Sequence, residues 1–231
     1  MRRIALAAAV AGAMVGAGMC DAQAAPAKII ILRHGEKASA TALCSVGVSR
    51  SLALVQQYFG KGAKNSLFKD GETPAAFLAI TLHTLELIAP AAATWKVPVT
   101  TYPVVPLPNA DEEKELDAQT EQAAKDVLSN PAWDGKIVVM VWEHKHIADK
   151  KLTKTLRNLL NLDKLTGKDH VHETWQGSNY DYFWIVEYPS GSTTPSSFKD
   201  ERQEFTGSYA SVPSNHWGKP EKLPPNSGCK S

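Results

Sequence analysis

Two short runs of this chain consist almost wholly of apolar and β-branched residues: Lys28–Leu32, reading Lys-Ile-Ile-Ile-Leu, and Lys136–Trp142, reading Lys-Ile-Val-Val-Met-Val-Trp. A strand with one wet face alternates polar and apolar side chains, so unbroken runs of this kind belong to strands covered on both faces, as in a parallel sheet between two layers of helices. The intervening sequence fits that arrangement. Val48, Leu52, Val55 and Phe59 recur at helical spacing over 46–59 until Gly60 and Gly62. A second strand is expected over 75–80, a helix over 83–93, and an extended stretch over 97–105, where Pro98 and Pro103 forbid a helix. Asn109 followed by Glu112 reads as a capping signal for a helix reaching Ser129, another helix is expected over 147–160, and a last strand over 182–188. Strands alternating with helices predict an α/β fold: a mostly parallel central sheet with helices on both faces, in three layers.

The ends of the chain read differently. Arg2 and Arg3 precede an Ala, Val and Gly-rich apolar run from Ile4 to Met19, and Ala22-Gln23-Ala24 has the small-x-small pattern of a cleavage site. Residues 1–24 are therefore read as a signal peptide. The run is too short and too Gly/Ala-rich for a membrane span, and Met19 before Cys20 argues against a lipoprotein site. The expected product is periplasmic or secreted and has no membrane attachment after cleavage. Residues 25–189 form the expected domain. Residues 190–231, rich in Ser, Thr, Pro, Gly and Lys, form an irregular tail whose aromatics dock on it. Export leaves Cys44 and Cys229 as an even pair in an oxidising compartment, a plausible disulfide. With 25 basic and 24 acidic side chains and no long run of either sign, no bulk field favours nucleic acid. The sequence carries no signal for an oligomeric state.

Chemistry is concentrated where the two apolar strands stop. Arg33-His34-Gly35-Glu36 follows the first and Glu143-His144-Lys145-His146 follows the second. Ligands of open α/β sheets bind at the carboxyl ends of the strands, where loops and helix N-termini converge.

Ile31-Leu32-Arg33-His34-Gly35-Glu36 resembles the signature of the histidine phosphatase superfamily. Leu43-x-x-x-Gly47-x-x-Arg50-x-x-x-Leu54 resembles the first-helix pattern of many members, and Val141-Trp142-Glu143-His144-x-x-Ile147 resembles the strand end bearing their second catalytic histidine. The resemblance spans roughly residues 28–188 and implies a phosphoglycerate mutase-like fold and an exported phosphatase that hydrolyses a phosphomonoester through a phosphohistidine. No metal or other cofactor is implied. His34 would be the nucleophile, Arg33 a bidentate phosphate ligand, His144 a donor to the equatorial oxygens, and Gly35 a point of close backbone approach to phosphate. The partner would be a small phosphorylated substrate or another anion.

The chain departs from the pattern after its second strand. Members place another arginine there, whereas Thr81-Leu82-His83-Thr84 offers only His83, a single donor that carries full charge only when protonated. The alternative is thus a weak or inactive member that binds a phosphorylated or anionic ligand. Arg50 is a further phosphate-site candidate, although a surface or supporting role suits its place in the pattern better. Asp111 is the candidate general acid, ahead of Glu143 and Glu36, in a region where Glu112 and Glu113 also favour a helix N-terminus. His144 and His146, alternating at a strand end, would share one side like metal ligands but lack a third partner.

Overall fold

A computed structural model describes residues 25–230; the expected signal peptide, 1–24, lies outside the described residues. Six strands form one sheet: β1 (Lys28–Arg33), β2 (Pro74–Ala79), β3 (Val99–Thr101), β4 (Ile137–Trp142), β5 (Tyr182–Glu187) and β6 (Ser197–Arg202), ordered β3-β2-β4-β1-β5-β6. β3, β2, β4 and β1 pair in parallel, while β5 runs antiparallel to both β1 and β6. The sheet is α/β and mostly parallel.

Alternation along the strands divides the core. Ile29, Ile31, Ala76, Leu78, Val138 and Met140 face one way, onto Leu116, Ala123, Ala124 and Val127 of α3 (Glu112–Val127). Ile30, Leu32, Phe77, Ala79, Val139 and Val141 face the other way, onto α1 (Ser45–Leu54) and α2 (Leu82–Trp95). Each apolar run is thus covered on both sides, which is why neither shows a period of two. The helix after β1 continues beyond α1 as a wider turn, Val55–Phe59, and stops at Gly60, where a Cβ would lie 2.2 Å from the Val55 carbonyl oxygen.

Three expectations need correction. The helix expected over 147–160 is two short pieces, α4 (His144–Ile147) and α5 (Leu156–Leu159). Between them Asp149 accepts from the Lys151 amide and the Ala148 carbonyl accepts from Trp175, so local side-chain and distant backbone partners displace the helical ladder. The cap of α3 is Asp111, which accepts from the Lys114 amide, and not Asn109. The tail is not wholly irregular: Ser197–Arg202 adds β6 to the sheet, past the expected boundary at 189. Its aromatics split between the two layers, Phe198 and Trp217 on one side and Phe205 and Tyr209 on the other. Cys44 and Cys229 are disulfide-bonded, and the Lys230 amide donates to the Lys37 carbonyl beside them.

Candidate active site

Because β1, β2 and β4 are parallel, their carboxyl ends share one edge of the sheet. That edge receives His34 from β1, Thr81 and His83 from β2, and Glu143 and His144 from β4. β5 runs the opposite way, so its beginning brings Tyr180 to the same place. The His34 ring lies 5.2 Å from His83, 5.7 Å from His144 and 5.5 Å from Tyr180, centroid to centroid.

His34 is buried, and its Nδ1 lies 2.8 Å from the Gly35 carbonyl oxygen. A carbonyl only accepts, so Nδ1 carries the proton and Nε2 keeps its lone pair in the neutral ring. Burial holds the ring's pKa well below 6.5, with Glu143 opposing and Arg33 assisting. The Nε2 lone pair receives a hydrogen bond from Arg33 Nη2 at 2.9 Å.

Arg33 is fully buried and, among the described residues, has no carboxylate within ion-pair distance. Its Nη1 donates to the Gly177 carbonyl at 2.8 Å, its Nη2 also reaches His144 Nδ1 at 3.2 Å, and its Cζ sits 3.7 Å above the Tyr180 ring. Its Nε has no partner. Burial lowers its pKa from the usual guanidinium value. Burial and the neighbouring guanidinium also push His144 down to about 3. His144 is therefore neutral, and its Nδ1 lone pair turned to Arg33 leaves Nε2–H to donate.

His83 is placed differently from the sequence expectation. It enters on the first turn of α2, but its Nδ1 donates to the Ala40 carbonyl at 2.9 Å and its Nε2 is 2.5 Å from Glu143 Oε1 and 3.0 Å from Thr81 Oγ1. Both nitrogens are engaged, so His83 offers no donor to an anion on His34. Arg50 is likewise withdrawn. It is 1% exposed and bound by Glu36 through Nε at 3.0 Å and Nη2 at 2.5 Å, by Gln203, and by the Pro213 carbonyl, behind the site. Asp111 caps α3 at an exposed position outside the histidine cluster. Gly35 serves packing: a Cβ there would lie 3.1 Å from Leu87 and 3.2 Å from Leu43.

Glu143 joins the site more closely than its rank in the sequence suggests. Oε2 is 3.5 Å from His34 Nε2 and 3.6 Å from Lys37 Nζ. Burial favours the neutral acid, but His34, His83 and Lys37 outweigh it and hold the carboxyl well below the usual range. His34, Glu143 and His144 bring ligand atoms within 4.8 Å of one another. Arg33 Nη2 and Lys37 Nζ already occupy the approaches to those atoms, and two cationic side chains oppose a divalent ion there. His146 does not share this side: α4 turns it away to Asp117, at 3.2 Å. Tyr180 and the carbonyls of 176–179 escape sequence reading because they come from an irregular loop with no pattern of its own.

No family model matches the chain, and no curated protein matches it in sequence. Among solved structures, it is similar to a mycobacterial glucosyl-3-phosphoglycerate phosphatase at 13% identity and TM-score 0.46, over 78% of this chain and 99% of that one. It is also similar to mycobacterial hydrolase 2 at 14% identity and TM-score 0.43, over 76% of this chain and 89% of that one.

Proposed function

We propose that the chain is an exported phosphatase of the histidine phosphatase type, hydrolysing a small phosphomonoester through a phosphohistidine on His34. The observation that carries this reading is a buried Arg33 with no carboxylate counterion among the described residues, set 2.9 Å from a histidine nitrogen whose lone pair is fixed by the proton on its other nitrogen. A buried cation without a counterion favours an anion. A neutral imidazole is a nucleophile without further activation.

In this mechanism phosphate displaces the direct Arg33–His34 hydrogen bond. Arg33 and the Nε2–H of His144 hold its equatorial oxygens as charge develops. His34 Nε2 forms a bond to phosphorus while the ester oxygen departs. Water then attacks the same phosphorus, the N–P bond breaks, and inorganic phosphate leaves. The Cys44–Cys229 disulfide supports export, since such bonds persist in oxidising compartments.

The second reading, an anion-binding relative with little turnover, is favoured by the absence of a free donor on His83. Rapid acid-free quenching with a labelled phosphomonoester distinguishes the two. The phosphatase reading expects label on His34, lost in His34→Ala together with turnover. Phosphate binding with neither label nor turnover supports the binding protein.

A further inference from the structure

We infer that Glu143 is the catalytic residue that carries the proton between the leaving oxygen and the attacking water, and that His83 positions it. This inference rests on the phosphohistidine reading. Among the described residues, Glu143 is the one carboxylate within ion-pair distance of the nucleophile, with Oε2 at 3.5 Å from His34 Nε2. Glu36 is bound by Arg50, and Asp111 is bound to its helix terminus. The other oxygen of Glu143 is immobilised by His83 Nε2 at 2.5 Å and Thr81 Oγ1 at 3.2 Å. His83 is itself fixed through Nδ1 to the Ala40 carbonyl. The ring in the place of the family's second clamp arginine thus grips a carboxylate in this chain, and the carboxylate faces the reacting atoms.

Glu143 is ionised in the empty site, but phosphate and an ionised carboxylate this close repel each other, so binding of a phosphomonoester raises the Glu143 pKa from its depressed value and favours the protonated form. As His34 Nε2 bonds to phosphorus and the P–O bond breaks, the proton on Oε2 passes to the departing alkoxide, giving an alcohol and the Glu143 carboxylate. The hydrogen bond from His83 to Oε1 stabilises that carboxylate. When water attacks the phosphohistidine, its proton returns to Oε2, the N–P bond breaks, and the starting state is restored. The charged and titratable groups facing Glu143 are Arg33 and His34 from the end of β1, Lys37 from the loop beyond it, His83 from α2, and its own neighbours His144 and Lys145.

The leaving group provides the test. A 4-nitrophenolate departs without a proton, whereas an alkoxide does not. Glu143→Gln is therefore expected to lower kcat on glycerol phosphate by about 10²–10⁴-fold and on 4-nitrophenyl phosphate by less than about 10-fold. Equal losses on both esters overturn the assignment. His83→Asn removes the ring nitrogen that holds Oε1 and favours the carboxylate, so protonated Glu143 persists to higher pH. The falling limb of the kcat/KM profile is expected to move up by roughly one unit or more, and an unmoved limb shows that His83 does not act through Glu143. The His83 variant also keeps the idea testable if Glu143→Gln folds poorly. A wild-type chain that hydrolyses neither ester and traps no label removes the phosphohistidine reading, and this inference with it. Trapped label with an undiscriminating Glu143→Gln removes the inference alone.

Discussion

Arg33, at the end of β1, and Arg50, on α1, are 2% and 1% exposed and are held in opposite ways. Arg50 meets the Glu36 carboxylate through two nitrogens and gives the rest of its donors to Gln203 and the Pro213 carbonyl. Burial alone would lower its pKa, but Glu36 and Glu221 raise it above the usual value. Arg33 has only carbonyl oxygens, two imidazole lone pairs and an aromatic face, and its pKa is lowered by burial. One cation is neutralised within the fold. The other is left with a demand that an incoming anion meets. Charge at a buried position therefore identifies a ligand site only where the fold has not supplied the counterion, and the structure gives Arg50 the supporting role that its place in the sequence pattern suits better.

The strongest test of this contrast is stability. Arg50→Ala leaves Glu36 buried without its partner and is expected to cost about 3–5 kcal/mol, measured by urea unfolding, with the catalytic constant per folded molecule nearly retained. Replacing both members, Arg50→Met with Glu36→Leu, is expected to recover much of that loss, because no unpaired charge remains. A cheap Arg50→Ala would mean that the buried pair is not the structural element described.

Arg33→Met should show the reverse pattern. The loss of a preorganised donor to the phosphoryl oxygens is expected to lower kcat/KM on 4-nitrophenyl phosphate by about 10²–10³-fold. Stability should change far less than in Arg50→Ala, since the removed charge had no counterion. Arg33→Lys is expected to recover only part of the activity, because an ammonium lacks the planar fork. If Arg33→Met unfolds as readily as Arg50→Ala, the division between the two arginines fails.

What was legible in the sequence follows the same physical line. β1 and β4 were readable because a strand buried on both faces has nothing but apolar residues, and the clusters at their ends were readable because parallel strands share an edge. β6 was not: Ser-Phe-Lys-Asp-Glu-Arg is an edge strand with charged side chains, which protects a sheet edge and hides the strand at once. The helix expected over 147–160 lost its ladder to Asp149 and Trp175. Asp111, the candidate acid, gives one carboxylate oxygen to the Lys114 amide as the cap of α3. The roles of His83 and Glu143 were hidden because their pairing joins residues 60 positions apart. A strand-end motif names the residues at one sheet edge but not which of them face each other.

The smallest expected effect concerns the carboxyl that completes the Arg50 layer. The Oε1 of Glu221, from the C-terminal tail, is buried 3.6 Å from Arg50 Nη2, an ion-pair distance beyond hydrogen-bond reach. Burial raises its pKa to about 9, and the hydrogen bond and charge of Glu36 add to the rise. Glu36 is lowered despite its burial, because Arg50 favours the ionised form. The two carboxyls thus share one proton, carried by Glu221. Because Glu221 binds that proton more tightly in the folded chain than in the unfolded one, its contribution is fully present below the ordinary carboxyl pKa and is lost as pH rises toward about 9. The slope of that loss has a ceiling of about 1.4 kcal/mol per pH unit. Glu36 has the opposite sign, with stability lost as pH falls below the ordinary carboxyl range. Glu221→Gln keeps a donor toward Glu36 and has nothing to ionise. It is expected to lie close to the parent at about pH 4.5, where the unfolded carboxyl is still about half protonated and little of the loss has accrued, and to exceed it progressively toward about pH 8. Turnover by the Arg33 layer should not change. Urea unfolding across that range decides the matter: parallel curves for the variant and the parent would mean that Glu221 is ionised in the fold, and that Arg50 is neutralised by two carboxylates and not by one.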